Sequence, residues 1–171
     1  MVVDALLRSI ADRIRTVLSV DDSFVRVMPD AYPIPSFELW FISIYGGKFK
    51  IINDDSTCFR GPVGINLCMT CRHASIPFDK QGVELTAKAT TGIIAIWENA
   101  LKAVNKSALI IAAANTAIGY NGVESVPIPT NIDFEAKQVR GGGPVGWMNA
   151  QNQQRAGFIF ESSFKVSINI Q

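Results

Sequence analysis

A pair of cysteines with a nearby histidine is the part of this sequence that most resembles a reactive site. Cys68 and Cys71 are separated by two residues, Cys58 lies upstream and His73 follows shortly after. Three thiolates and an imidazole form a recognised zinc ligand set, and a thiol beside a histidine can be an activated nucleophile. A small metal- or thiol-dependent enzyme is therefore one hypothesis for the function.

The surrounding pattern favours a different interpretation of these residues. Apolar and polar residues alternate from Val63 to Arg72, which predicts a strand with Cys68 and Cys71 on opposite faces. Zinc pairs normally come from a turn, and a thioredoxin-like pair opens a helix. His73, the only histidine, has no GxSxG motif to serve as the base of a hydrolase. We therefore expect reduced structural thiols, no metal site and no catalytic residue.

A glycine cluster between 141 and 146 matches the GxGxxG pattern of dinucleotide-binding proteins. That fingerprint follows a strand, opens a helix and precedes an acidic residue by about 20 positions. Here Pro144 and a Gln/Asn-rich stretch follow instead, and Glu161 falls within a predicted strand. We expect an extended loop at about 138–157 and no cofactor. A lid over the pocket of a monomeric ligand-binding module is an alternative role for this loop.

The composition indicates a folded chain with little surface charge. The 171 residues are 48% hydrophobic and 18% charged, against about 25% charged in an average chain. The net charge of +1 lacks the cationic excess of a dedicated nucleic-acid-binding domain. No run approaches the ~18–20 apolar residues of a membrane span, and the first residues do not resemble a signal peptide. We expect a single domain over 1–171, cytosolic at synthesis, with part of its surface buried against partners.

Periodicity predicts two helices and several strands. Apolar residues at helical spacing predict an N-terminal helix from Val3 to Leu18 and a central helix from Leu85 to Val104. Phe37–Ile52 is predicted to be a β-hairpin whose two-residue turn is Gly46-Gly47. The segment 108–118 fits either a buried strand or a short helix.

The last predicted element is an alternating strand from Phe158 to Ile170. It is longer than the usual strand of ~5–6 residues, so we expect it to bend or to extend beyond the sheet of its own subunit. Together these elements predict an α+β fold, in which the N-terminal and central helices pack against a largely antiparallel sheet.

The loop and the start of the last strand form the predicted partner interface. Two roles stay open for Trp147, a residue type enriched at interface hot spots: an anchor for a partner, or a side chain packed on its own core. The two flanking arginines either pair with acidic groups on a neighbour or are solvated. Deletion of residues 141–154 is expected to leave the subunit folded and to impair assembly. The predicted interface residues are Arg140, Trp147, Arg155, Phe158 and Phe160.

The layout of the chain resembles the tail terminator and neck proteins of tailed bacteriophages. The similarity lies in an early amphipathic helix containing the run from Leu6 to Ile14, then strands and a central helix. An irregular loop and the Phe/Val/Ile-alternating strand from Phe158 to Ile170 complete it. It covers most of the chain and includes no diagnostic motif, so no individual functional residue is transferred.

This resemblance implies a non-enzymatic virion protein of the tail or neck, assembled in the host cytoplasm. Such subunits form a hexameric ring on the tail tube, stop its polymerisation and present a docking surface for the neck or head-completion protein. Near-neutral charge suits a lumen through which DNA passes. Another neck or head-closure protein, such as a connector or collar, is the neighbouring assignment.

Overall fold

The computed structural model of the chain describes residues 1–27, 40–51, 61–74, 93–139, 147–148, 154–155 and 157–170. Within these ranges the elements are three helices and seven strands. The prediction of an α+β fold is confirmed: the helices pack against a mostly antiparallel sheet.

Helix α1 (Val2–Leu18) forms because its apolar residues recur at helical spacing and bury one face. On the outer side, Arg8 Nε donates to Asp4 Oδ2 at 2.9 Å. The helix ends where Ser19 adopts a left-handed conformation (φ 55°) and its N–H bonds to the Arg15 and Thr16 carbonyls.

Two further helices follow in the described part of the chain, α2 (Ile93–Val104) and α3 (Ala108–Ile118). The predicted central helix is present from Ile93 onwards, and its predicted start at Leu85 lies outside the described residues. The segment that fitted strand or helix is helical. It ends at Gly119, whose φ of 77° is the left-handed conformation that glycine adopts without strain.

The main sheet has five strands in the order β1-β2-β3-β7-β4. Strand β1 runs parallel to β2, and the remaining neighbours are antiparallel. Strands β5 and β6 form a separate two-stranded ladder. The bounds are β1 Val25–Val27, β2 Trp40–Ile51, β3 Gly61–Ala74, β4 Ile128–Val139, β5 Trp147–Met148, β6 Gln154–Arg155 and β7 Gly157–Ile170.

The predicted hairpin with a turn at Gly46-Gly47 is wrong. Both glycines lie inside the single strand β2, where the pairing with β3 shifts register between Gly46 and Phe49. The pair therefore marks a bulge, because glycine accepts the irregular backbone that a bulge requires. The partner of β2 is β3, with Trp40 opposite His73 at one end and Ile51 opposite Val63 at the other.

The long last strand is confirmed as β7, but it does not extend beyond its own sheet. It pairs with β3 along its full length, from Gly157 opposite Ala74 to Ile170 opposite Gly61. Its other edge pairs with β4. Strand β7 is therefore an internal strand, and its apolar face lies in the core.

The hydrophobic core lies between the helices and one face of the sheet. It contains the inner face of α1, alternate residues of β2, β3 and β7, and the inner sides of α2 and α3. Nothing among the described helices has both the length and the hydrophobicity needed to cross a membrane.

Candidate functional site

The two described cysteines lie on opposite faces of β3, as predicted. Cys71 is fully buried on the helix-covered face, whereas Cys68 is half-buried and its Sγ lies 3.9 Å from the Ser163 hydroxyl. Neither forms a disulfide. One metal ion cannot bind both thiols of this pair, because the sheet separates them.

Burial also makes Cys71 a poor nucleophile. Loss of solvation raises the pKa of this thiol to about 12, and the neighbouring charge of Arg72 opposes this only weakly. A protonated thiol neither attacks nor ligates. His73 lies two positions further along β3 than Cys71, with Trp40 and Phe158 as its register partners on the neighbouring strands. Within the described ranges no group of three or more potential metal ligands occurs, and Cys58 lies outside them.

The predicted interface residues are found in different situations. Trp147 and Arg155 face each other in the short ladder of β5 and β6. Phe158 lies near the start of β7, between His73 and Gln138 on the neighbouring strands. Arg140 and the glycine cluster at 141–146 lie outside the described residues. For these four residues the interface role stays a prediction.

Phe160 belongs to the core of its own subunit. Its side chain is 5% exposed and stacks on Trp97 of α2, with ring centroids 5.3 Å apart. Trp97 Nε1 also donates to the Ser162 hydroxyl at 2.9 Å. Phe160 therefore offers no side-chain surface to a neighbour, contrary to the role expected from the sequence, and it helps to attach α2 to β7.

The sheet face opposite the helices carries a buried polar cluster. Ser43 and Thr70 are opposite each other on β2 and β3, and both are fully buried. Arg72 is also buried, and its Nη1 donates to the Ser43 hydroxyl at 3.3 Å. The Thr70 hydroxyl has no hydrogen-bond partner among the described residues. Sequence alternation placed Thr70 and Arg72 on the polar face of the predicted strand but did not predict their burial.

The most distinctive exposed surface belongs to α3. Its inner side buries Ile110 and Ala114 against the core, mainly on α1. The sequence from Ser107 to Val123 contains no charged residue, and Leu109 is 60% exposed. We call the outward side of this helix the α3 outer face, formed by Ala108, Leu109, Ala112, Ala113, Thr116 and Ala117.

A specific clamp holds the end of α3 on the sheet. Asn115 Nδ2 donates to the Val123 carbonyl at 3.2 Å, and the Val123 N–H donates to Asn115 Oδ1 at 2.8 Å. Val123 in turn bridges to Ile168 of β7. The outer face is thus carried by a helix that is attached through Val123 to the internal strand β7.

Two stretches of sheet edge lie without a neighbouring strand in the described part of the chain. Strand β1 pairs with Ile42–Ile44, and among the described residues no strand pairs with β2 on that side from Gly46 to Ile51. Strand β4 is the opposite edge of the sheet. Unpaired strand edges and an uncharged outer helix face are both features of interaction surfaces.

A scan against models of known protein families finds no match to this chain, and a search of the curated proteins finds none either.

Proposed function

We propose that the chain is a structural subunit of a tailed-phage virion, the tail terminator. As a ring of identical copies, it caps the tail tube and joins it to the neck or head-completion protein. Such a ring uses heterologous contacts, in which one surface of a copy meets a different surface of the next. The function is binding and assembly, without catalysis or a cofactor.

The observation that carries this proposal is the α3 outer face. A surface helix normally turns charged and polar residues toward water, but this one presents Leu109 and several alanines. Small side chains allow another backbone to approach closely, and an uncharged patch loses little hydration when it is covered. A protein partner is the natural occupant of such a face.

Two further features support a ring in a virion. The fold combines an early amphipathic helix, a sheet covered by helices on one face and a long last strand, which is the layout on which the resemblance to tail terminators and neck proteins rests. The net charge of +1 keeps nonspecific attraction to DNA low, as a lumen for DNA passage needs.

The test combines solution mass with tube capping. Native mass spectrometry and negative-stain microscopy of the purified protein are expected to show a ring, with six copies as the expected number. Added to assembling tail tubes, the protein should bind one end and stop elongation. A protein that stays monomeric at all concentrations and leaves tube length unchanged would contradict the proposal.

The same experiment distinguishes a tail terminator from another neck or head-closure protein. A ring that ignores tail tubes but binds isolated heads or connector rings would identify a head-closure or collar protein instead. Bovine serum albumin at the same concentration is a suitable control for nonspecific adsorption to tube ends.

A further inference from the structure

The solvent-facing side of helix α1 carries a line of four charged residues. They are Asp4, Arg8, Asp12 and Arg15, whose spacing places them on one side of the helix. The side chains of Arg8 and Asp12 are 71% and 68% exposed, and those of Asp4 and Arg15 are 50% and 25% exposed. Most other positions of α1 pack against the sheet, α2 and α3. We call these four residues the α1 charged strip.

The charges of the strip alternate in sign, and hydrogen bonds within the subunit hold them in place. Arg8 Nε donates to Asp4 Oδ2 at 2.9 Å, and Arg15 Nη1 donates to Asp12 Oδ1 at 2.7 Å. Arg15 Nε and Nη2 also donate to the Val25 carbonyl, at 2.9 and 2.6 Å. The strip is therefore an ordered row of charges, because each arginine is tied to a neighbouring group.

Arg8 and Asp12 keep hydrogen-bonding capacity for a second molecule. In the described part of the chain Arg8 donates only through Nε, which leaves Nη1 and Nη2 for another acceptor. Asp12 accepts through Oδ1 from Arg15, and no described side chain donates to its Oδ2. A guanidinium and a carboxylate form strong paired hydrogen bonds when they meet in one plane.

The order of the charges makes the strip complementary to itself. When two copies meet with α1 antiparallel and the twofold axis level with residue 10, Arg8 lies opposite Asp12 of the second copy. Asp4 then lies near Arg15 of that copy, because the helix rises by ~17 Å over the strip and both ends overlap. A parallel arrangement places each charge against the same charge, which is unfavourable. The pattern therefore selects an antiparallel contact, in which opposite ends of the two helix dipoles also adjoin.

We propose that the α1 charged strip is a twofold interface with a second copy of this chain, in which Arg8 of each copy pairs with Asp12 of the other. The inference goes beyond the proposed ring and does not rest on it, because such an isologous contact joins two copies and is then complete. Where rings form through heterologous contacts elsewhere, the same interface joins two rings face to face.

The interface should be sensitive to salt. Exposed ion pairs are individually weak, but networks of several charges contribute, and salt screens them. Sedimentation equilibrium of the wild-type protein at ~0.05 M NaCl should show the mass of the sedimenting unit doubling as concentration rises. At ~0.5 M NaCl the dissociation constant of this pairing should be ~10-fold higher or more.

Charge reversal tests which residues meet. Arg8→Asp and Asp12→Arg each place like charges at both central positions, so the dissociation constant at low salt should rise by ~10-fold or more. Mixed in equal amounts, the two variants present opposite charges to each other at every position of the strip and should form a mixed pair. Circular dichroism and the melting temperature verify that each variant is folded.

A double variant separates pairing from helix stability. Arg8→Asp combined with Asp12→Arg exchanges the two central charges within one chain, so opposite charges still face each other across the axis and the variant should pair with itself. The matched control is Lys165→Glu, at an exposed position of β7 on the sheet face opposite the helices. It changes the net charge by the same two units as Arg8→Asp and should leave the pairing unchanged.

The outcomes separate this inference from the proposed function. A wild-type protein that shows no pairing at low salt would overturn the interface, as would single variants that pair like the wild type or folded variants that do not recover on mixing. If that protein still caps tail tubes, the terminator role stands. Charge-dependent pairing by a protein that never binds tail tubes would support the interface and contradict the terminator role.

Discussion

The indole Nε1 of Trp97 donates a 2.9 Å hydrogen bond to the hydroxyl of Ser162, and both residues are buried where α2 meets β7. This contact explains why a serine interrupts the apolar face of the last strand. A buried indole N–H needs an acceptor, and Ser162 supplies it next to Phe160, on which the Trp97 ring stacks.

Removing the acceptor should therefore destabilise the subunit. Ser162→Ala leaves the indole N–H buried without this partner, and we expect unfolding by urea to show a loss of ~1–3 kcal/mol. Trp97→Phe removes the donor, so the effect of Ser162→Ala should shrink by ~1 kcal/mol in that background. The control is Ser163→Ala on the opposite face of the strand. An equal loss for Ser162→Ala in both backgrounds would contradict the coupling.

Removing the buried hydroxyl of Thr70 should not destabilise the subunit, in contrast to removing the hydroxyl of Ser162. The Thr70 hydroxyl has no hydrogen-bond partner among the described residues, so Thr70→Val replaces an unsatisfied polar group by a methyl of similar size. The variant should be as stable as the wild type or more stable, by up to ~1 kcal/mol. Ser43→Ala, next to it, removes the acceptor of Arg72 and should lose ~1 kcal/mol or more. Equal losses in the two variants would contradict this distinction.

The raised pKa of Cys71 predicts a loss of stability at alkaline pH. Burial raises this pKa from its ordinary value of 9.0 to about 12, so above pH 9 the unfolded chain releases the thiol proton while the folded chain keeps it. The contribution of the protonated Cys71 thiol to the free energy of unfolding is complete below pH 9. Above pH 9 this contribution decreases by about 1.4 kcal/mol per pH unit. Denaturant unfolding of wild type and Cys71→Ala should show their stability difference falling between pH 9 and 11. A constant difference would contradict the assigned burial.

Thiol reagents provide an independent check on the two cysteines. Cys68 is half-buried and Cys71 fully buried, so iodoacetamide should modify Cys68 in the native protein and Cys71 only after unfolding. Peptide mass spectrometry measures both sites in one sample. Modification of Cys71 in the folded protein at a rate similar to Cys68 would argue against the placement of β3.

The Asn115 clamp requires both a donor and an acceptor. Asn115→Asp keeps the acceptor for the Val123 N–H but turns a carboxylate oxygen toward the Val123 carbonyl, and we expect a loss of ~1–3 kcal/mol at neutral pH. Protonation of the new carboxyl restores a donor, so the folded state favours the neutral carboxyl and its pKa lies above the unfolded value of about 3.9. The stability deficit relative to wild type should therefore shrink as the pH falls toward 4. Thr116→Asp, on the neighbouring exposed position, is the control. A pH-independent deficit would contradict the two-way hydrogen bonding.

The α3 outer face should govern assembly without affecting folding. Ala112→Glu and Ala113→Glu place a charge on exposed helical positions, so stability should stay within about 0.5 kcal/mol. A charge buried in an interface is costly, so half-assembly should need a ~10-fold or higher concentration, measured by analytical ultracentrifugation. Thr16→Glu adds the same charge to an exposed position of α1. Normal assembly of both the Ala112→Glu and the Ala113→Glu variant would show that the α3 outer face is not part of the interface.

Much of the fold is predictable from periodicity, and the errors have local causes. Helix α1 and strand β7 follow from strong amphipathic patterns. Segment 108–118 was ambiguous because α3 is apolar on nearly every side, which removes the helical period. Gly46-Gly47 satisfies the rules for a turn and for a bulge alike, and only the partner strand decides between them.

The candidate site was harder to predict than the fold. Strand β4 was missed because Pro129 and its charged residues are unfavourable in an internal strand and acceptable at an edge, and edge position is a property of the whole sheet. Phe160 was predicted to be an interface residue, but Trp97 of α2 covers its side chain. This contact joins parts of the chain that are far apart in sequence, so local patterns do not reveal it. The uncharged stretch around α3 was visible in the sequence, but its exposure depends on tertiary packing.

The internal position of β7 affects how the sheet can form during synthesis on the ribosome. It follows every other strand in the chain, yet it pairs between β3 and β4. While the chain is being translated, β3 and β4 cannot be joined until β7, which is synthesised after both, becomes available. The sheet therefore closes only after β7 has emerged, and chains terminated before β7 should aggregate because they expose unpaired strands.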